Sequence, residues 1–211
     1  MSTTKPSPSL IEYVECEIIP RYSAFDKAHR EDHARKVIEE AMRISGFYDV
    51  DKDMVYAAAA FHDTGLTEGR EIHHLASGKV IRNDERLKEW FTQEQIETIA
   101  QAAEDHRASS GNEPRSIYGK IIAEADRDIE PMRILRRTVQ YGMEHYPELD
   151  KEGHWQRMLE HMAEKYDEGG YLKLFIPESS NAVRLGELRT IIHNREQLRS
   201  LFEKFYAEER I

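Results

Sequence analysis

The chain has 211 residues, 39% apolar and 33% charged, with a formal net charge of −10. That length can bury one sizeable domain with a small appendage. The acidic balance, without a strong Lys/Arg cluster, excludes long nucleic acid as the main partner. The longest apolar run, 54–61, is eight residues, too short to span a bilayer, so no membrane is expected. Residues 1–8 contain Ser, Thr, Pro and one Lys but no apolar stretch, which reads as a frayed start and not a signal peptide. The single cysteine, Cys16, cannot form an internal disulfide, and a reducing cytoplasm is the expected location.

Helical periodicity runs almost end to end, and strand signals are nearly absent. Residues 9–20 form a short amphipathic stretch that Pro20 should stop. Residues 27–45 read as a helix with Val37, Ile38, Ala41 and Ile44 on one face and Gly46 as its stop. Asp51 can cap a helix to about His62, whose run of four alanines implies close neighbours. Gly65 and Gly69 punctuate a loop before a helix over 71–83. Thr92 and Gln95 have capping-box spacing for a helix to about His106. After a loop over 109–114, a helix over 115–125 leads to Asp126. Pro131 opens another helix to about His145. Segments 154–167 and 179–208 are also helical, joined by an irregular or briefly extended link over 169–177. The expected architecture is all-α: a segment 1–21, a core over 22–140, and C-terminal helices over 141–211 packed on that core.

The chemistry concentrates in a few positions. His33 shares a helix face with His29, four residues earlier. His62 and Asp63 end the alanine-rich helix, and Asp126 ends a later one. Two imidazoles and two carboxylates in that order suit a divalent metal working on oxyanion chemistry. Neighbours on a regular helix point about 100° apart, but at a helix end both can converge on one ion. The two oxygens of Asp63 could bridge two ions. Three more histidines, His73, His74 and His106, lie nearby in sequence, in a chain that has ten. Taken singly, each histidine reads more simply as a surface or core residue, and it is the ordered set that carries the signal.

That set resembles the HD-domain superfamily of metal-dependent phosphohydrolases. HARKVIEEA from His33 is similar to the first motif, and AAAAFHDTG over 57–65 to the second. EIHHLASG over 71–78 resembles the next helix, with His73 aligning better than His74 and Ser77-Gly78 as its small pair. Residues 103–107 resemble the later histidine motif, and IIAEADRDIEPMR over 121–133 the final one. The resemblance covers about residues 22–140. The segment PESSNAVRLGELR is faintly similar to the tail of some members.

The resemblance implies an HD-domain helical bundle, with a C-terminal helical extension, around one or two divalent ions (Mn, Fe, Co, Mg, Ni or Zn). It implies His33, His62, Asp63 and Asp126 as core ligands, with His73 and His106 as ligands of a second ion or as phosphate contacts. The implied reaction is hydrolysis of a phosphoester or phosphoanhydride in a small phosphorylated substrate, a nucleotide, by metal-activated water. Asp63, His73 and His106 would then be catalytic. His29, Arg107, Arg127 and Arg133 are candidates for binding substrate, although Arg127 and Arg133 could instead pair with Glu124, Asp128 or Glu130. Some members carry a lysine after the HD pair, where this chain has Thr64-Gly65-Leu66, so no lysine-dependent mechanism follows. His29-Arg30 likewise departs from members with His-Asp there. Two other classes stay open: a di-iron HD-type oxygenase and a non-catalytic metal-binding sensing module. The stripe Leu185, Leu188, Ile191, Ile192, Leu198, Leu201 and Phe202 could support a homodimer or pack on the chain's own core, the second being preferred.

Overall fold

A computed structural model describes residues 5–25, 31–107 and 113–210. Among these there is no strand, and the fold is the expected all-α one. The chain forms two compact units, Met1–Arg127 and Asp128–Ile211.

The first unit opens with α1 (Pro8–Tyr13), which continues as a π-helical turn, Val14–Ile18, and a 3-10 turn, Ile19–Ala24. Pro20 therefore does not stop the segment. It falls in the first turn of the 3-10 stretch, where its missing N–H leaves no bond unmade. Next come α2 (Glu31–Ser45), α3 (Lys52–Phe61), a 3-10 turn (Thr64–Glu68) and α4 (His73–Asn83). After these follow a second such turn (Glu85–Glu89), α5 (Gln93–Glu104) and α6 (Ile117–Ala125). Local capping fixes several starts. The Asp51 carboxylate accepts from the Asp53 and Met54 amides at 2.9 and 3.4 Å. Thr92 and Gln95 close a reciprocal capping box, and Ser116 accepts from the Gly119 amide at 3.2 Å.

Helix α3 packs against α2, α5 and α6, and every residue over 54–61 is buried. Its four alanines add almost no bulk, so the surrounding helices can approach its backbone closely. Phe61 is fully buried, which is worth about 1.5–3 kcal/mol relative to exposure. The effect is to carry the end of α3, where His62 and Asp63 stand, into the middle of the unit.

The second unit contains α7 (Pro131–His145), α8 (Lys151–Lys165), α9 (Ser180–His193) and α10 (Arg195–Glu208). Helix α7 packs with α8, α9 and α10, so the division falls earlier than the boundary expected near 140. The single helix expected over 179–208 is two. Asn194 leaves the helical conformation (φ −91°, ψ 90°), and its side chain accepts from the Gln197 amide at 3.1 Å, capping α10. The break lets α10 fold back onto α9. Leu185, Leu188, Ile191, Leu198 and Phe202 are buried in this unit's core, with Ile192 and Leu201 partly buried against it. The apolar stripe is thus consumed within its own unit. No helix among the described residues is long and apolar enough to cross a membrane.

Candidate metal centre

Five elements of the first unit bring side chains to one place: α2 supplies His33, the end of α3 supplies His62 and Asp63, α4 supplies His73, and the ends of α5 and α6 are followed by His106 and Asp126. The side chains form two groups. In the first, His33 Nε2 lies 3.3 Å from His62 Nε2 and 3.2 Å from Asp126 Oδ1. Asp63 Oδ2 lies 3.6 Å from His33 Nε2 and 3.3 Å from His62 Nε2. In the second, Asp63 Oδ1 lies 3.4 Å from the Nε2 atoms of both His73 and His106, which are 3.0 Å apart. Asp63 belongs to both groups, with one oxygen in each.

These separations match the edges of a metal coordination shell. With bonds of about 2.1 Å, ligand atoms stand about 3.0 Å apart in an octahedron and about 3.4 Å apart in a tetrahedron. The tautomers give an independent test. His62 Nδ1 donates to the Ala59 carbonyl at 2.8 Å, His73 Nδ1 to Arg70 at 2.7 Å and His106 Nδ1 to Ala103 at 2.5 Å. A carbonyl only accepts, so Nδ1 of each ring carries a proton, and the neutral form of each ring turns an Nε2 lone pair inward. Lone pairs of His73 and His106 facing each other at 3.0 Å repel unless a cation or a proton lies between them. The donor set therefore fits a divalent ion in each group.

Without an ion, protons take over part of that role. Burial disfavours the His33 imidazolium, but hydrogen bonds to Asp126 and Asp63 outweigh it and push its pKa up to about 10. Burial opposes ionisation of Asp63, yet the charge of His62 and hydrogen bonds from His106 and His33 hold its carboxyl far below the usual range. Asp126 is likewise lowered against its burial, chiefly by the His33 hydrogen bond. His73 is lowered by burial. The floor of the centre, His62, Asp63 and His106, is buried, while His33, Asp126 and His73 keep 22, 26 and 15% of their side-chain surface exposed. The open side is thus the rim of His33, Asp126 and His73.

Helix α4 is placed by a close approach. A Cβ on Gly65 would stand 2.3 Å from the His73 carbonyl oxygen and the Ser77 amide nitrogen. The Gly65 amide donates to the Ser77 hydroxyl at 2.9 Å. On the next position of the small pair, a Cβ at Gly78 would stand 2.4 Å from a Glu104 carboxylate oxygen. That carboxylate accepts from Arg82 at 2.5 Å and from Arg115 at 2.7 Å.

Of the six residues expected as ligands, five form the two groups and Asp126 adjoins the first through His33 and His62, and it is His73, not His74, that reaches Asp63. Of the expected substrate contacts, Arg107 donates to the Glu71 carbonyl, on the loop leading to His73. Arg127 is half-buried beside Asp126 and Glu124, and burial lowers its pKa. Arg133 lies in the second unit and pairs with Asp128, the surface alternative. His29 lies outside the described residues. Sequence reasoning missed Tyr22, which is fully buried, donates to the Ala60 carbonyl at 2.9 Å and accepts from the Asp63 amide at 3.3 Å. Its partners lie some forty positions away, so no local pattern marks it.

Fold and site together define an all-α protein with a His/Asp centre that can hold divalent metal. The HD domain family model matches residues 30–129, which supports membership of the HD-domain superfamily. That family points to metal-dependent, hydrolase-type chemistry. Among curated proteins and solved structures, none gives a significant match.

Proposed function

We propose that the chain is a two-metal phosphohydrolase that cleaves a phosphoester or phosphoanhydride bond in a small phosphorylated substrate, with nucleotides as the favoured class. The observation that carries the reading is the division of Asp63 between two groups, one carboxylate oxygen to His33 and His62, which Asp126 also approaches, and the other to His73 and His106. Those six residues would hold the ions. Bound divalent metal supplies Lewis acidity, acidifying water and neutralising phosphate oxygens.

The protein's own groups would do the rest. The carbonyls of Ala59, Arg70 and Ala103 hold three imidazoles in the metal-binding tautomer, so little reorganisation is needed when substrate arrives. Asp63 stays ionised and can orient an attacking water by accepting its hydrogen bond. Arg107, beside the His73 loop, can donate to a phosphate oxygen, and Arg127 adds positive charge behind Asp126. The exposed rim leaves room for a small substrate.

The test is phosphate release from a panel of nucleotides and dinucleoside polyphosphates, using metal-stripped protein with Mn²⁺, Co²⁺ or Mg²⁺ restored. Release that needs metal and vanishes in Asp63→Ala supports the proposal. Four imidazoles around a shared carboxylate also suit a pair of irons. Purified protein with two irons per chain, O₂ uptake and no phosphate release would favour an HD-type oxygenase instead.

A further inference from the structure

The adjacent pair His62-Asp63 poses a geometric problem. On a continuing helix the two side chains would diverge by about 100°. Here they meet, with His62 Nε2 3.3 Å from Asp63 Oδ2. The backbone shows where the helix is abandoned: His62 is still helical (φ −52°, ψ −36°) and Asp63 is not (φ −109°, ψ 6°).

Tyr22 stands at that step. Its hydroxyl hydrogen goes to the Ala60 carbonyl at 2.9 Å, and its oxygen accepts the Asp63 N–H at 3.3 Å. One buried hydroxyl therefore grips the chain on both sides of His62. The ring is fixed edge-on by Phe25, with centroids 5.4 Å apart, and lies 6.3 Å from the His62 ring. Meanwhile the Ala59 carbonyl is engaged by the His62 imidazole.

We propose that Tyr22 is a positioning residue of the metal centre: its hydroxyl holds the His62–Asp63 peptide in the turned conformation that aims both side chains at the ion. The inference rests on the metal-centre reading above. Removing the hydroxyl would leave the Asp63 N–H and the Ala60 carbonyl short of a partner inside the unit. Asp63 serves both groups, so the displacement would be felt throughout the centre. Loss of such a supporting contact typically weakens metal binding by about 10–100-fold.

The experiment is a Co²⁺ titration of the metal-stripped full chain, read by its visible d–d absorption, which reports coordination geometry as well as affinity. Tyr22→Phe is expected to bind Co²⁺ about 10-fold or more weakly with an altered spectrum. Tyr13→Phe is the control, since it removes a hydroxyl that donates to Asp84 in the same N-terminal layer. It should retain both affinity and spectrum. A Tyr22→Phe chain with unaltered affinity and spectrum would overturn the proposal, as would an equal loss in Tyr13→Phe. Should Tyr22→Phe not fold, Phe25→Leu loosens the same ring while keeping the hydroxyl. Several-fold weaker Co²⁺ binding is then expected, and unchanged binding counts against the idea. If the unaltered chain binds no Co²⁺, the metal-centre reading itself fails and this inference falls with it.

Discussion

Replacing Gly65 with alanine puts the placement of α4 to a direct test. The added Cβ would lie 2.3 Å from backbone atoms of His73 and Ser77, where ordinary contact begins near 3.4 Å. Backbone cannot swing aside as a side chain does, so the start of α4 must retreat by about 1 Å. Overpacking of this kind costs about 1–3 kcal/mol. Weakening the bond from the Gly65 amide to the Ser77 hydroxyl adds about 1 kcal/mol. The expected destabilisation is therefore about 2–4 kcal/mol. The retreat also carries His73 away from Asp63 and His106, now 3.4 and 3.0 Å distant, beyond what one ion can span. His33 and Asp126 do not ride on α4, so the first group should keep its ion. Denaturant unfolding and metal counting by mass spectrometry would read both effects: a lower midpoint, and a fall from two ions per chain towards one. An alanine variant with the original midpoint and full metal content would refute the reasoning.

Asp63→Ala should abolish metal retention and phosphate release while leaving the helical circular dichroism near that of the parent, and retained activity would show that the site is misassigned. Divalent metal at 100 times its dissociation constant should raise stability by about 2.7 kcal/mol, reversed by chelation. A melting temperature indifferent to both metal and chelator would count against ion binding at this centre. Hydrogen bonds from Arg82 hold the Glu97 carboxyl down to about 2, below its ordinary value of 4.5. Its folded-state value is depressed, so its contribution is present above pH 4.5 and is lost as pH falls towards 2. The side chain is 42% exposed, and screening keeps the effect under about 1 kcal/mol. The parent should lose stability more steeply than Glu97→Gln over that window, and superimposable curves would exclude the linkage. Thr92→Ala removes one side of the capping box and should cost about 1 kcal/mol, measured by urea unfolding.

Much of this protein could be read from neighbouring residues. Asp51, the Thr92/Gln95 pair and Pro131 announce their helices because a cap acts within three or four positions of itself. The order His33, His62-Asp63, Asp126 at helix ends marks the core ligand types, since few structural roles need that combination. Where the signal is not local, the sequence is silent or ambiguous. The stripe over 185–202 keeps its apolar character across Asn194, so periodicity runs through a break that only the side-chain cap reveals. The spacing to Ser77-Gly78 favours His73 over His74 only by resemblance, and the tertiary structure, with Gly65 packed against the start of α4, is what sets His73 against Asp63. Tertiary packing alone divides the two oxygens of Asp63 between two groups and sets the Tyr22 hydroxyl against the His62–Asp63 turn. The physical reason is range: capping and periodicity are settled within one or two helical turns, whereas a metal centre assembled from separate helices depends on angles and approaches that no single segment contains.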